Sequence, residues 1–305
     1  DRSPSRGLGD VYKRQNQEDL VTQAIEGVLK QQTNFKFQLV IGDDASTDDT
    51  IKICKTYQEK FGDIIKLITR DKNIGLIANF IETAKYLTGK YVAICDGDDY
   101  WIDYSKLQKQ VDFLENHDDY SIVFGKCRRL YANGKLIEKS RTLKRNSFDF
   151  TDLVMENFIP SVTVLFENSA ILNNLPSWFS RLPYGDWPLY LYTVVGGKRI
   201  FFLDEYLAVY RVEVGQSFKL RKKLSNLFNT DLFILENLNE EQGFEKWDEH
   251  FQKSIIKKKK SLILAYNREG DYIKAFQEYF KLIWFNREIK FAKMYFYSLM
   301  KSFNA

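Results

Sequence analysis

A short apolar run ends in three carboxylates within four residues. Tyr91 to Cys95 are apolar and β-prone, which predicts a buried parallel strand, and Asp96, Asp98 and Asp99 follow at once. Carboxylates this close together repel one another unless a cation joins them. Their hard oxygen atoms suit Mg²⁺ or Mn²⁺, which take further ligands from water and phosphate groups. We therefore expect a divalent metal here, with a solvated acidic turn as the alternative.

A second acidic pair also stands at the end of an apolar run. Asp43 and Asp44 follow the β-prone residues 37–41. At the carboxyl end of a strand, such acids can accept hydrogen bonds from a base or a ribose, as they do in dinucleotide-binding folds. The alternative is capping and Asx-turn chemistry by Asp44, Ser46 and Asp48. Ser46 and Asp49, three residues apart, also fit a variant of the capping box.

A third acidic position, Asp186, precedes a helical pattern with Pro188 near its first turn. The arrangement fits a helix N-cap. It also fits a general base, because an acid at a helix start is rigid and its ionised form is favoured by the helix dipole. The two roles are compatible, and both remain open at this point.

The elements that must hold these acids alternate along the chain. Helical and strand patterns predict α-β-α-β-α-β over residues 16–101. Such alternation is typical of a mostly parallel, Rossmann-like sheet that is flanked by helices and has right-handed crossovers. From about residue 220 the pattern is helical, and residues 262–283 resemble one hairpin of a tetratricopeptide-like repeat. The predicted fold class is α/β with a C-terminal helical region.

Residues 1–15 do not continue this pattern. They are polar, contain Gly, Pro, Ser and Arg, and lack periodicity. We expect a non-native or disordered leader, similar to translated vector sequence, where a strand should precede the first helix. The sequence thus predicts three regions, which are the leader over 1–15, an α/β domain over 16–219 and a helical region over 220–305.

Composition narrows the compartment and the partners. The three cysteines are odd in number and lack metal-ligand spacing. No apolar run approaches the ~20 residues of a membrane span, and no signal-peptide pattern is visible. We therefore expect a cytoplasmic protein.

The net charge of +4 is unevenly distributed, because residues 251–305 hold ten Lys and two Arg against four acids, a balance of +8. This tail favours peripheral contact through 250–305 with an anionic inner membrane surface, or a helix face that is solvated or packed on the domain. No nucleic-acid partner is expected.

Taken together, the motifs resemble glycosyltransferase family 2, whose members have the GT-A fold. The segments that carry the resemblance are QLVIGDDASTDDT, NIGLIANF, AICDGDDYW followed by KLQKQVDFL, and GDWPLYLY followed by LDEYLAVYRV. They span about residues 16–215, and their order and spacing are more specific than any one motif.

The resemblance implies a role for each acidic cluster. Asp43 and Asp44 would meet the base and ribose of a nucleotide-sugar donor, and Asn16 and Asn73 would lie in the same binding site. The cluster of Asp96, Asp98 and Asp99 would hold the metal, Mn²⁺ or Mg²⁺, and the donor diphosphate. Asp186 would take the proton from the acceptor hydroxyl.

Two departures from the family pattern matter. The family begins with an apolar strand that ends in Pro-x-Tyr-Asn or a similar motif, of which only Asn16 remains here. After AVYRV the family often has a His that helps to bind the metal or the diphosphate, and Glu213 stands at that position. Trp101 and Trp187 flank the acids, where they either stack on a sugar or anchor the core.

The predicted function is an inverting, metal-dependent glycosyltransferase in cell-surface polysaccharide synthesis. It would move a sugar from a nucleotide sugar, with UDP expected, to a glycan or a lipid-linked acceptor. One alternative is a sugar nucleotidyltransferase, which would need a Gly-rich basic phosphate loop near the N-terminus. The other is a non-catalytic scaffold or binding protein that works through its basic tail.

Overall fold

The structure is a computed structural model that describes residues 7–12, 17–138, 143–212, 214, 220, 222–286 and 291–303. The chain divides into two compact units. The first is formed by the described residues of Asp1–Phe150 and Asn157–Gly215, and the second by those of Thr151–Glu156 and Gln216–Ala305. The three-region division given above remains a prediction.

The first unit alternates strands and helices. Its elements are β1 (Gly7–Tyr12), α1 (Val21–Leu29), β2 (Phe37–Asp43), α2 (Thr50–Lys60), β3 (Ile65–Thr69), α3 (Leu76–Ala84), β4 (Tyr91–Asp96), β5 (Tyr100–Trp101), α4 (Lys106–Glu115), β6 (Tyr120–Leu130), β7 (Leu136–Ile137), β8 (Ser147–Phe148), β9 (Leu165–Glu167), α6 (Asp186–Val194) and β10 (Arg199–Arg211). The short helix α5 (Phe150–Met155) falls largely in the second unit.

One sheet runs through the first unit in the order β3-β2-β1-β4-β9-β6-β10-β5, with β7 paired to β6 and β8 paired to β10. Strands β1 to β4 are parallel, whereas β9 is antiparallel to both β4 and β6. The chain moves outward from β1 to β3 and then returns to place β4 on the other side of β1. The strand order therefore reverses at β1 and β4, which is where open α/β sheets bind ligands. The predicted α/β class is confirmed.

Strand β1 corrects the expectation that the leader contributes no folded element. Gly7–Tyr12 pairs in parallel with β2 on one side and β4 on the other, in the central position that seemed to be missing. A strand with neighbours on both sides gains backbone hydrogen bonds whatever its side chains are. Sheet context can therefore override weak strand propensity. Asn16 lies outside the described residues.

The core lies where α1 and α4 pack on the sheet. The α1 residues Val21, Ala24, Ile25 and Val28 are fully buried at the helical spacing seen in the sequence. In the same helix, a Cβ atom on Gly27 would lie 2.9 Å from the backbone N and O of Trp101. Glycine thus permits the close approach of α1 to β5.

Both tryptophans beside the acids belong to the interior. Trp101 is 2% exposed and Trp187 is 1% exposed, which favours core anchoring over stacking on a sugar. The indole N–H of Trp101 donates to the carbonyl oxygen of Val162 at 2.9 Å, so its polar atom is satisfied within the fold.

Two local turns complete the sheet. Ser161–Thr163 form a 3₁₀ turn before β9, because the N–H of Thr163 bonds back to the carbonyl oxygen of Pro160 at 2.9 Å. A hairpin turn at Asn133–Gly134 joins β6 to β7, with Gly134 at a φ of 79°.

The second unit is helical in its described part, as predicted for the C-terminal region. It contains α7 (Leu224–Asn239), α8 (Asp248–Arg268), α9 (Tyr272–Asn286) and α10 (Ala292–Phe303). Helices α8 and α9 form the hairpin expected from the sequence, with Gly270 at a φ of 79° in the turn. None of the helices in the described part of the chain has the length and apolar character needed to cross a bilayer.

Candidate active site

The sheet register sets the distance between two of the acidic clusters. Tyr12, the last residue of β1, pairs with Gly42 of β2 on one side and with Asp96 of β4 on the other. Neighbouring strands lie about 4.8 Å apart, so the backbones at Gly42 and Asp96 are about 10 Å apart. The predicted donor-binding acids and metal-binding acids thus flank the same strand end.

The turn after β4 gathers three carboxylates. Asp96, Asp98 and Asp99 each offer an oxygen atom, and these atoms lie within 4.8 Å of one another. Asp98 is 5% exposed and Asp99 is 1% exposed, whereas Asp96 is half-buried. A hydrogen bond of 2.9 Å from the N–H of Asp99 to the carbonyl oxygen of Asp96 closes the turn. The acids are therefore a built cluster inside the protein and not a solvated turn.

Asp99 has one oxygen held and one oxygen without a hydrogen-bond partner. Its Oδ1 accepts the backbone N–H of Arg211 at 2.7 Å, whereas its buried Oδ2 has no such partner in the described part of the chain. Burial first, and then the charges of Asp98 and Asp96, raise the pKa of this carboxyl well above its ordinary value. A divalent cation would offset both the cost of burying Asp99 and the repulsion among the three carboxylates. Their oxygen atoms therefore fit Mg²⁺ or Mn²⁺ as ligands.

Arg211 ties the acidic turn to two other elements. Its guanidinium donates to the carbonyl oxygen of Asp98 and to the side-chain oxygen of Gln23 on α1. The guanidinium also lies 4.9 Å from the centre of the Tyr100 ring. Arg211 lies in the LDEYLAVYRV motif, but this role is not visible in the sequence, because its partners are more than 100 residues away along the chain.

The acids after β2 shape a neighbouring loop. Asp44 accepts the backbone N–H groups of Ile74 at 2.7 Å and Gly75 at 2.9 Å, and Asn73 accepts the same Gly75 N–H at 2.9 Å. Asp44 and Asn73, two predicted nucleotide contacts, are therefore brought together. A carboxylate has about four lone-pair sites, so these bonds leave Asp44 able to accept from a ligand.

The capping box expected at Ser46 and Asp49 is wrong. Ser46 instead bonds to Asp43, with its hydroxyl donating at 2.6 Å and its N–H at 3.1 Å. The first N–H of α2, from Thr50, is accepted by Asp48 at 3.0 Å, and Asp49 makes no side-chain cap bond. Local side-chain bonds of this kind compete with helix caps.

Asp186 is the first residue of α6 and not its cap. Gly185 occupies the cap position, and no side-chain cap bond is made there. One carboxylate oxygen of Asp186 accepts the amide N–H of Asn157 at 3.0 Å, which fixes the orientation of this half-buried side chain. An acid in the first turn of a helix is stabilised in its ionised form, as a general base requires.

The charges of Asp186 and of Asp96 in the acidic cluster both act on Tyr190. It lies one helical turn after Asp186 and is fully buried, and within the described residues its hydroxyl has no hydrogen-bond partner. Burial first, and then the charges of Asp186 and Asp96, raise the pKa of this phenol well above its ordinary value. Both carboxylates therefore lie within electrostatic reach of one hydroxyl. Tyr190 was not singled out in the sequence. Its position four residues after Asp186, on the same face of the helix, could have identified it.

Comparison with known proteins decides the family. The family model described as "Glycosyl transferase family 2" matches residues 11–171, which is more than half of the chain and begins inside the expected leader. The chain belongs to glycosyltransferase family 2. Its resemblance to that family, predicted from the sequence, is confirmed.

The similar proteins support the fold. An uncharacterised protein of Mycobacterium tuberculosis (strain ATCC 25618 / H37Rv) is 35% identical over 197 residues, which are 64% of this chain and 56% of that protein. The chain thus matches a little over half the length of this relative. S. aureus TarS 1–349 superimposes with a TM-score of 0.68 at 17% identity, covering 98% of this chain and 88% of that one.

A second solved structure agrees with the first. The mannosyltransferase PcManGT of Pyrobaculum calidifontis, solved with GDP-Man and Mn²⁺, gives a TM-score of 0.61 at 15% identity and covers 99% of this chain and 88% of that one. The family 2 chain described here has the GT-A fold that the sequence predicted. Glu213, which stands where the family often has a His, lies outside the described residues.

Proposed function

We propose that this family 2 protein is an inverting, metal-dependent glycosyltransferase. It moves a sugar from a nucleotide sugar, which we take to be a UDP-sugar, to a hydroxyl of a glycan or lipid-linked acceptor in cell-surface polysaccharide synthesis. One observation carries the proposal. Three carboxylates lie at the point where the strand order reverses, and the buried Oδ2 of one of them, Asp99, has no hydrogen-bond partner among the described residues. The charges of Asp186 and Asp96 both act on the same buried hydroxyl, that of Tyr190.

In this proposal the carboxyl ends of β2 and β4 hold the donor. Asp43, Asp44 and Asn73 accept hydrogen bonds from the base and ribose, and Asn16 stays a further predicted contact. The solved relatives support this class of donor, because TarS has been crystallised with UDP and with UDP-GlcNAc, and PcManGT with GDP-Man.

Asp96, Asp98 and Asp99 would hold the metal, which supplies positive charge against the developing charge of the leaving diphosphate. The presence of Mn²⁺ in PcManGT supports the same kind of ion here. The chain contributes a rigid cluster, because Arg211 holds the Asp99 carboxylate through its backbone N–H and the Asp98 carbonyl through its guanidinium.

Asp186 would act as the general base. As the acceptor oxygen forms its bond to the anomeric carbon, the bond from that carbon to the diphosphate oxygen breaks, and the acceptor proton passes to the carboxylate of Asp186. One displacement of this kind inverts the anomeric configuration. Asn157 keeps the base in place through its hydrogen bond of 3.0 Å.

Calorimetric titration of UDP with and without Mn²⁺ tests the donor site. We expect binding that depends on the metal in the natural chain and is lost in Asp98→Asn, which removes a charge but keeps the side-chain volume. Asp63→Asn, an exposed acid on the first unit, is the matched control and should bind as the natural chain does. Metal-dependent binding that survives Asp98→Asn would contradict the assignment of the cluster.

The rate of sugar transfer by the Asp186→Asn variant distinguishes a catalytic role of this protein from a role as a scaffold. A catalyst should lose sugar transfer while keeping UDP binding, because the amide can no longer take a proton. A protein that acts only by binding should be unaffected.

A further inference from the structure

Helix α9 is apolar on two opposite faces. Ala275, Tyr279 and Leu282 are buried inside the second unit, as expected for the inner face of a surface helix. The other face carries large apolar side chains spaced three or four residues apart, so that they form one stripe, and they are highly exposed: Ile273 75%, Phe276 57%, Phe280 54% and Trp284 69%. The outer face of a surface helix is normally polar, so this stripe requires an explanation.

Helix α10 also exposes large apolar side chains. Its exposed apolar side chains are Met294, Phe296, Tyr297 and Met300, each more than half exposed. In the described part of the chain, these two helices carry eight of the thirteen exposed large hydrophobic side chains. We call the eight residues the aromatic surface. Exposed apolar groups concentrated in this way mark an interaction surface.

Exposed lysines lie on the same two helices as the aromatic surface. Lys274 and Lys281 are exposed on α9 beside the stripe, and helical spacing puts Lys293 and Lys301 on the exposed side of α10. Asp271 and Glu278 pair with the two lysines of α9, at 2.7 and 2.8 Å. Residues 271–305, which include both helices, nevertheless hold five Lys and one Arg against three acids, a balance of +3. The partner should therefore be both apolar and anionic.

Two classes of partner fit the apolar side chains, and charge decides between them. A second copy of this chain would bring another surface with a balance of +3 against the first, which is repulsive. An anionic bilayer attracts the lysines and has a headgroup region in which Trp, Tyr and Phe side chains are favoured. The rings of Phe280 and Trp284 are already stacked, with centroids 5.8 Å apart, so little side-chain freedom is lost when they insert.

We propose that the aromatic surface of α9 and α10 binds the headgroup region of an anionic lipid bilayer, with the lysines at its edge contacting the lipid phosphates. This contact is peripheral and does not involve the donor site. Lipid binding and the proposed glycosyl transfer can therefore be tested independently, and failure of one does not contradict the other.

Flotation with lipid vesicles tests the proposal on the full chain. We expect binding to phosphatidylglycerol-containing vesicles that is several-fold stronger at about 0.1 M than at about 0.5 M NaCl, and weak binding to pure phosphatidylcholine. The triple change Phe276→Ser, Phe280→Ser, Trp284→Ser should lower the partition coefficient at least about tenfold. The matched control is a triple change to Ser of exposed aromatic residues in the first unit, which are Phe61, Tyr86 and Tyr104.

Two further measurements keep the test decisive. The single variant Trp284→Phe keeps the fold and should remove most of the blue shift that vesicles cause in tryptophan emission, since the indole of Trp284 is 69% exposed. Light scattering after size exclusion gives the oligomeric state. The proposal would be overturned if the protein did not bind anionic vesicles at low salt, or if the triple variant bound them equally well. It would also be overturned if the only effect of the triple change were conversion of a dimer to a monomer.

Discussion

Lys106, the first residue of α4, should destabilise the protein at neutral pH. The side chain is fully buried, and its ammonium group lies 4.1 Å from the centre of the Trp101 ring and donates to the carbonyl oxygen of Val164 at 3.3 Å. Burial lowers the pKa of this lysine from 10.5 to about 7, against the opposing effects of Cys95 and Asp103. The folded state therefore resists protonation of a group that is fully charged in the unfolded chain.

The sign and size of the effect follow from this difference in pKa. Between the folded pKa of about 7 and the unfolded value of 10.5, the unfolded chain binds more protons, so the free energy of unfolding rises with pH. Each unit of pKa difference is worth about 1.4 kcal/mol, so the destabilisation is about 4 kcal/mol at pH 7 and about 2 kcal/mol at pH 9.

Lys106→Met removes the charge while roughly keeping the volume. The variant loses the hydrogen bond from the Lys106 amine to Val164, which is worth about 1 kcal/mol. We expect it to be more stable than the natural chain by about 3 kcal/mol at pH 7 and by about 1 kcal/mol near pH 9, where the folded lysine is neutral. With a urea m-value of about 2 kcal/mol/M, the midpoint at pH 7 should rise by about 1.5 M.

Urea unfolding followed by tryptophan fluorescence at pH 7 and pH 9 measures the difference. Lys109→Met, on the same helix, is the matched control: Lys109 is partly exposed and pairs with Asp103 and Glu205, and these bonds raise its pKa. That control should gain no stability at pH 7. A difference between Lys106→Met and the natural chain that is the same at pH 7 and pH 9 would refute the reasoning.

Two residues of the candidate site give further predictions. Asp186→Asn should lower kcat by about 10²- to 10⁴-fold with UDP affinity unchanged in calorimetry, because only proton removal is lost, and full activity would reject Asp186 as the base. Tyr190→Phe should raise the free energy of unfolding by about 1 kcal/mol in urea titrations, because it removes a buried hydroxyl that lacks a hydrogen-bond partner among the described residues. A loss of stability in that variant would mean that the hydroxyl has a bonded partner in solution.

Much of the site could be predicted because its acids follow local patterns. A buried strand that ends in Asp96, or a helix that starts at Asp186, is encoded within about ten neighbouring residues, and the structure places both as expected. Periodicity also gave the buried face of α1. These features depend on side chains that are close in the sequence.

What the sequence did not reveal depends on distant partners. The N–H groups of Ile74 and Gly75 that hold Asp44, and the N–H of Arg211 that holds Asp99, belong to backbone that any residue type supplies. Strand β1 was missed for a related reason, since its pairing satisfies backbone groups and leaves little trace in the side-chain pattern. Exposure of the stripe on α9 could not be foreseen either, because the helix has two apolar faces and the sequence does not show which of them packs inward.

The bond between Arg211 and Asp99 has a consequence for engineering. Because the backbone of residue 211 holds the acid, a library that varies only the side chain at this position keeps the bond, with proline as the exception since it has no N–H. An insertion or deletion of one residue in β10 would instead move a different N–H opposite Asp99 and turn the neighbouring side chains to the other face. Laboratory evolution of this strand should therefore keep the bond to Asp99 through substitutions and lose it through changes in length.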